Sequence, residues 1–280
     1  MLSAARYPPR VALSDEQIKR FVDEGFVRIE GAFSRQTAEA CLDVMWPATG
    51  CDRDDPATWT HPVVRLSGFA DAPFREAATA PALHQAFDQL VGPGRWLPRT
   101  GLGTIPVRFP HPDPPGDDGW HIEGSYLPDG GPWPYFTNYR SRDRALLMLF
   151  LFTDVTEEDA PTRIRVGSHH AVPRALAPYG EEGLSFLRIG ETGILEATAD
   201  LPVAQATGRA GDVYLCHPFL VHAAQSQQGG APRFMAQPPL EPAEQLRLER
   251  PDGDYSPVEQ VIRTALHQDG TGTEGLTVRH

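Results

Sequence analysis

Lysine is nearly absent from this chain. Of the 25 Lys and Arg residues among 280, only Lys19 is lysine and the other 24 are arginine. Lys19 falls in a predicted amphipathic helix, which disfavours Schiff-base and pyridoxal-type chemistry. Positive charge is short overall: the net charge of −12 argues against a nucleic-acid partner, which would meet a basic face. The three cysteines, Cys41, Cys51 and Cys216, form no CxxC pair. Neither a disulfide framework nor a zinc cluster is expected, and a reducing compartment is the simpler setting. No apolar run approaches the ~18 residues of a membrane span, and MLSAARYPPR lacks the apolar stretch of a signal peptide. The expected location is the cytoplasm. Neither G-x-S-x-G nor GxxxxGK(S/T) occurs, so serine-hydrolase and P-loop chemistry find no support.

What is present suffices for a large core, with 40% hydrophobic and 9% aromatic residues, and a β-barrel or sandwich fills this length as one domain. The pattern predicts a flexible arm over residues 1–12 and a single domain over 13–266. Ser14-Asp15-Glu16-Gln17 is a capping box opening a helix that Gly25 ends. Val27 and Ile29 alternate as a short strand. A second helix is predicted from Ser34 to Trp46, stopped by Pro47. Residues 47–72 read as loop, and a third helix as Ala80–Val91. From about residue 100 to 240, short apolar runs alternate with Gly/Pro/Asp turns. Ala145–Val155 is the clearest strand, continuous enough to be covered on both faces, with a buried helix as the rival reading. Further strands are expected at 104–109, 162–166, 212–217 and 233–237. Closing helices are expected at Glu241–Leu248 and Pro257–Leu266, with a disordered tail over 267–280. In that tail Gly270-x-Gly272-x-x-Gly275 has no strand–helix context and is a chance match. Helices followed by a block of strands make an α+β fold with a mainly β core, a sandwich or barrel with helices packed outside.

The chemistry concentrates in two stretches. In Trp120–Ser125, His121 and Glu123 are two apart, so on a strand imidazole and carboxylate point to one face. A surface-exposed pair is the bland alternative. In Gly211–Arg233, His217 and His222 are five apart across Pro218 and would face opposite sides of an unbroken strand, so at most one of them is a ligand. A His-x-carboxylate pair plus one distant histidine is the ligand set that holds non-heme Fe(II) with coordination positions left open. Arg233 follows His222 by eleven residues, read as one hairpin turning at Gly229-Gly230 into the strand RFMAQ. A strand arginine there can grip the far carboxylate of a keto acid through its planar fork; an outward-facing arginine is the alternative. The loop SYLPDGGPWPYFTNY offers Tyr126, Trp133 and Tyr135 as candidates for a substrate mouth, aromatic packing being the rival. Arg163 and Arg165 are either solvated strand residues or an anionic-substrate contact. His169-His170 reads as a structural turn rather than a second metal site.

His217-Pro-Phe-Leu-Val-His222 followed by Arg233 resembles the HPxLxH…R signature of the phytanoyl-CoA dioxygenase-like family of Fe(II)/2-oxoglutarate oxygenases. His121-x-Glu123 resembles its HxD/E element, Arg165-Val-Gly-Ser-His169 its PGSH turn, and Gly211-Asp212 its GD. The likeness spans roughly residues 14–238. It implies a double-stranded β-helix (jelly-roll) core over about residues 100–240, with His121, Glu123 and His222 as iron ligands and Arg233 gripping 2-oxoglutarate. Arg108 stands where relatives often place a polar co-substrate contact. The sequence departs from the family at Glu123, where most members carry Asp. It also departs at Ala224, where a small hydroxyl residue is usual and Ser226 or another residue must substitute. Ala160-Pro161 replaces the usual Asn-Gly.

The resemblance further implies an enzyme that uses Fe(II), 2-oxoglutarate and O2, releases succinate and CO2, and removes hydrogen from a bound small molecule. Halogenases of the superfamily lack the carboxylate that Glu123 supplies, so hydroxylation is favoured, with desaturation or cyclisation open. The acidic charge disfavours a CoA ester. Two readings compete: a jelly-roll metal enzyme without a keto acid, such as a cupin-like dioxygenase or isomerase, and a non-catalytic jelly-roll binding module.

Overall fold

The computed structural model describes residues 12–131 and 133–267. The predicted arm and tail lie outside the described residues, apart from Ala12 and His267. Helix α1 (Asp15–Glu24) starts at the capping box, with the Gln17 amide donating to Ser14 Oγ at 3.3 Å and the Ser14 amide to Gln17 Oε1 at 2.9 Å. Gly25 ends it in the left-handed region at φ 94°, where a side chain would be strained. After β1 (Phe26–Ile29), α2 (Arg35–Thr49) continues through Pro47 to Gly50, against the expected stop. The proline lies in the last turn, where its missing N–H frees only the carbonyl of Asp43, an exposed residue.

The stretch read as loop contains β2 (Val63–Phe69), antiparallel to β3 (Leu102–Arg108). β2 exposes Arg65, Ser67 and Gly68, so distant pairing rather than apolar alternation makes it a strand. Helices α3 (Ala72–Ala78) and α4 (Pro81–Leu90) lie between them in the chain. Then follow β4 (Phe136–Thr137), β5 (Leu146–Leu151), β6 (Arg163–Arg165), α5 (Val172–Leu176), β7 (Leu184–Ser185), α6 (Ile194–Ala197) and β8 (Val203–Gln205). The chain ends with β9 (Val213–Cys216), β10 (His222–Ala223), β11 (Met235–Ala236), β12 (Pro239–Leu240) and α7 (Pro257–His267). The helix expected at Glu241–Leu248 does not form. Glu241 O accepts from Leu97 N and the Ala243 amide donates to Arg95 O, both at 2.9 Å, so this backbone is committed to a neighbour instead.

A five-stranded antiparallel sheet runs β1-β9-β5-β11, with β12 also paired to β5, and a second has the order β10-β6-β8. β5 settles as a strand because both its faces are covered. Leu146, Met148 and Phe150 enter the core shared with the helices, while Leu147, Leu149 and Leu151 enter a second core with Ile164 of β6. His222 and Arg233 do not share a hairpin: β10 pairs with β6, whereas the chain after Arg233 joins β5. The intervening loop crosses between sheets, tied by the Gln228 and Gly229 amides to Glu158 O. The architecture is mixed α/β with antiparallel sheets. Among the described residues, no helix is long and apolar enough to cross a membrane.

Candidate active site

His121 and His222 face each other across an isolated bridge, each amide donating to the other's carbonyl at 2.9 and 3.0 Å. That pairing sets the two imidazoles side by side, 4.4 Å between centroids. Glu123 follows on irregular backbone rather than on the strand expected for it, yet its Oε1 lies 3.4 Å from His222 Nε2. One ligand atom from each of the three residues lies within 4.8 Å of the others. Ligands at ~2.1 Å from one ion and at right angles would be about 3 Å apart, so the widest pair has to close by up to about 1.8 Å around an ion.

The ring nitrogens are assigned by their partners. His121 Nδ1 is 2.8 Å from Gly119 O and His222 Nδ1 is 2.9 Å from Leu220 O. A carbonyl only accepts, so both Nδ1 atoms carry the proton and both Nε2 lone pairs face the shared point, the arrangement that fixes metal-ligating histidines. Burial lowers the His121 pKa, the nearby His222 adding to this, so the neutral ligand form is favoured. Burial alone would raise Glu123; the Arg144 guanidinium beside it holds this carboxyl far below the usual range. The donor set is therefore convergent and braced from behind by Arg144, which fits a divalent transition metal.

Beside it a cavity of about 300 Å³ is lined by Arg108, Asp117, Thr162, His222 and Ala224 among others. Arg108 is buried, with Nη2 on Asp117 at 2.9 and 3.0 Å, while its Nε and Nη1 have no partner. Arg233 is fully buried behind Arg108, the two joined by a backbone bridge. It does not line the cavity: Nη1 donates to Ala160 O at 2.7 Å and Nη2 to Pro106 O at 3.2 Å, leaving Nε unpartnered. Buried guanidinium donors without acceptors are costly, and Arg108, which has two such nitrogens, lines a cavity of a size to take a small dianion, with Arg233 behind it. Thr162 brings a hydroxyl to the same cavity as Ala224, whereas Ser226 is not among its lining residues.

On the other side of Glu123 a larger cavity of about 820 Å³ is walled by Tyr126, Trp133, Tyr135, Arg144 and Phe186 among others. Tyr126 is buried and Trp133 is 61% exposed at the mouth. Arg165 is buried and stacks on Trp120 at 4.3 Å, and Arg163 lies 5.0 Å above the same ring; both brace the backbone before His121. Arg144, Asp117 and Thr162 are the site residues that sequence reasoning missed.

His217 lies elsewhere. It is fully buried beside His169, 5.0 Å between centroids, and Phe21. Its Nδ1 accepts from the Phe219 amide, and His169 Nε2 donates to Val22 O, so both are neutral structural histidines. Burial, with His170 adding to it, pushes His169 down to about 3, and burial also pushes His217 well below its ordinary value. Because the folded pKa lies below the unfolded ~6.5, protons bind the unfolded state first. Stability is then lost as pH falls below ~6.5, for His169 down towards about 3 and by up to ~1.4 kcal/mol per pH unit, with His217 acting in the same direction. Urea midpoints measured between pH 7 and 5 are expected to fall less steeply in His169→Gln than in the parent chain. An equal slope would show that His169 does not contribute.

No curated protein sequence matches the chain at a significant level. Among solved structures, the non-heme α-ketoglutarate-dependent carbocyclase SnoK from nogalamycin biosynthesis matches with a TM-score of 0.57 at 17% identity, over 84% of this chain and 87% of that one. HygX from Streptomyces hygroscopicus, with nickel, 2-oxoglutarate and hygromycin B bound, matches with a TM-score of 0.54 at 19% identity, over 84% and 90%. At these identities the likeness speaks to fold. The sequence profile of phytanoyl-CoA dioxygenase (PhyH) matches residues 21–235, a span holding both histidines of the cluster, Glu123, Arg108 and Arg233, and the chain belongs to that family.

Proposed function

We propose that the chain is an Fe(II)- and 2-oxoglutarate-dependent oxygenase that hydroxylates a small molecule, releasing succinate and CO2. One observation carries it: two imidazoles and a carboxylate converge beside a cavity lined by Arg108, a buried guanidinium with unpartnered N–H groups. His121, Glu123 and His222 hold the iron, and Arg108 with Arg233 behind it draws in the co-substrate's distal carboxylate. Thr162 supplies the hydroxyl that Ala224 lacks. We read residues 13–266 as one domain whose facing sheets form a double-stranded β-helix, working in a reducing cytoplasm with its three cysteines free. HygX binds nickel, iron and 2-oxoglutarate in its own crystals, in keeping with this assignment.

Bound iron would supply the O2-activating centre that oxidises 2-oxoglutarate and takes hydrogen from the substrate. The chain's own residues do the rest. The Gly119 and Leu220 carbonyls hold the imidazoles in the ligating tautomer. Arg108 and Arg233 place a positive field at one end of the small cavity, which orients a dicarboxylate. Tyr126, Trp133 and Phe186 wall the substrate side from water. A cupin-like enzyme without a keto acid has no use for that pair of arginines, and a non-catalytic module has no need of a convergent triad. Anaerobic addition of Fe(II) and 2-oxoglutarate is expected to give the weak visible charge-transfer band of the chelate. Stoichiometric iron binding without that band would refute the keto-acid half of the reading.

Asp117 marks where that carboxylate goes. Burial alone would raise its pKa, but Arg108 and Arg65 hold its carboxyl below the usual range. It is thus an anion already seated on Arg108, competing with the co-substrate. Asp117→Asn is expected to tighten 2-oxoglutarate binding by about 3- to 10-fold, the scale of one removed competing ion pair. Calorimetry that found weaker binding would make Asp117 a support for Arg108 instead.

A further inference from the structure

We infer that Arg144 is a substrate anchor: the larger cavity takes an apolar, ring-bearing molecule whose single anionic group sits against this guanidinium. The inference rests on the proposed function, because it treats that cavity as the substrate side of the iron.

The arginine is built in. Its amide donates to Ser141 O at 3.2 Å and Ser141 Oγ donates to Arg144 O at 2.8 Å, so a tight turn fixes the backbone two residues before β5. The residue is only 9% exposed. Its Nη2 donates to Gly124 O at 3.1 Å and reaches Glu123 Oε2 only at 3.5 Å, while Nε and Nη1 have no partner. A guanidinium has five N–H groups, and most of these are unanswered by the protein.

The charges around it sharpen the case. Three carboxylates line the cavity: Glu123, Asp143 and Glu241. Glu241 is engaged by Arg99 at 3.2 Å and Asp143 lies 3.7 Å from Arg142. Glu123 is the one within reach of Arg144, and a metal would take its charge. With the metal bound, a buried cation is left at the cavity floor without a counter-ion, which is costly unless the ligand brings one. The mouth has the opposite character. Trp133, Tyr135 and Leu97 are 61%, 45% and 45% exposed, three of the five large exposed hydrophobic residues among the described residues, and all line this cavity. Apolar surface concentrated at a cavity mouth marks where an apolar ligand is covered, and aromatic edges favour a ring.

The test uses 2-naphthoate and its neutral counterpart 2-naphthamide as probes, titrated by calorimetry into the full chain with saturating Ni(II) and 2-oxoglutarate, and again without them. The acid is expected to bind about tenfold more tightly than the amide, the scale of one charge-assisted bidentate contact. In Arg144→Gln that preference should fall to within about twofold, and Arg144→Lys should keep part of it because the charge stays. Trp133→Leu and Tyr135→Ala, both at exposed positions, should weaken acid and amide by similar factors. Equal binding of acid and amide by the parent chain, or a preference that persists in Arg144→Gln, overturns the inference; persistence would place the carboxylate on the metal. A purely supporting role toward Glu123 also overturns it, and shows as weaker Ni(II) binding in Arg144→Gln with the acid preference intact. If the iron chelate band is missing in the parent chain while metal-free discrimination holds and depends on Arg144, the oxygenase reading fails and the anion pocket stands.

Discussion

Replacing His222 by alanine is expected to leave a folded protein that no longer holds iron. In the proposed site the side chain is one of three ligands, and its loss would leave Glu123 and His121 as a two-point site open to water. Even supporting groups around a metal cost 10- to 100-fold in affinity when removed, so a lost ligand should cost at least about 100-fold. Anaerobic Fe(II) titration should show the charge-transfer band lost in His222→Ala and equally in His121→Ala. His217→Ala serves as the control. That ring is buried among Phe21 and His169, so its removal should lower the unfolding free energy read from urea denaturation by a cavity cost of ~2 kcal/mol or more and leave the band intact. Loss of the band in His217→Ala with retention in His222→Ala would invert the ligand assignment. Glu123→Asp should retain iron more weakly, because Arg144 and His222 meet the longer side chain where it now stands.

The convergence of His121, Glu123 and His222 was readable because each is fixed locally. Two residues of spacing bring His121 and Glu123 to one point even without a regular strand, and Pro218 separates the facings of His217 and His222. The capping box at Ser14 and the double-faced run of β5 were readable for the same reason, since a few neighbouring residues decide them. What escaped was settled by distant partners. β2 exists because β3 pairs with it, not because its own residues alternate. The helix expected at Glu241–Leu248 loses to hydrogen bonds with residues 95 and 97. Arg144 looks like a solvated residue of the charged run Arg140–Arg144. Only the fold shows it inside, beside Glu123. The supposed hairpin from His222 to Arg233 failed because sequence distance does not reveal that the chain changes sheets between them.

Under the proposed function that change of sheets would give Arg233 a double task, and its replacement is the second large effect. Arg233→Ala is expected to lower unfolding free energy by about 3 kcal/mol or more, since it strands two buried carbonyls and leaves a large void. One of those carbonyls belongs to Ala160, which sits at φ 50°, so the guanidinium also secures a turn that a non-glycine residue adopts reluctantly. Arg108→Gln should cost far less stability, because its Nη2 partner Asp117 is 24% exposed and water can replace the contact. Both variants should bind 2-oxoglutarate at least about tenfold more weakly, as expected for a lost charged fork. Urea unfolding and calorimetry on the same samples separate the two tasks. Arg233→Lys is the decisive variant: it keeps the positive field while giving up the fork that spans Ala160 and Pro106. If it binds 2-oxoglutarate normally but unfolds early, Arg233 acts from behind, and Arg108 is the residue that touches the carboxylate. If stability is kept while 2-oxoglutarate binding is lost, Arg233 must swing into the cavity and release Ala160 when the co-substrate arrives.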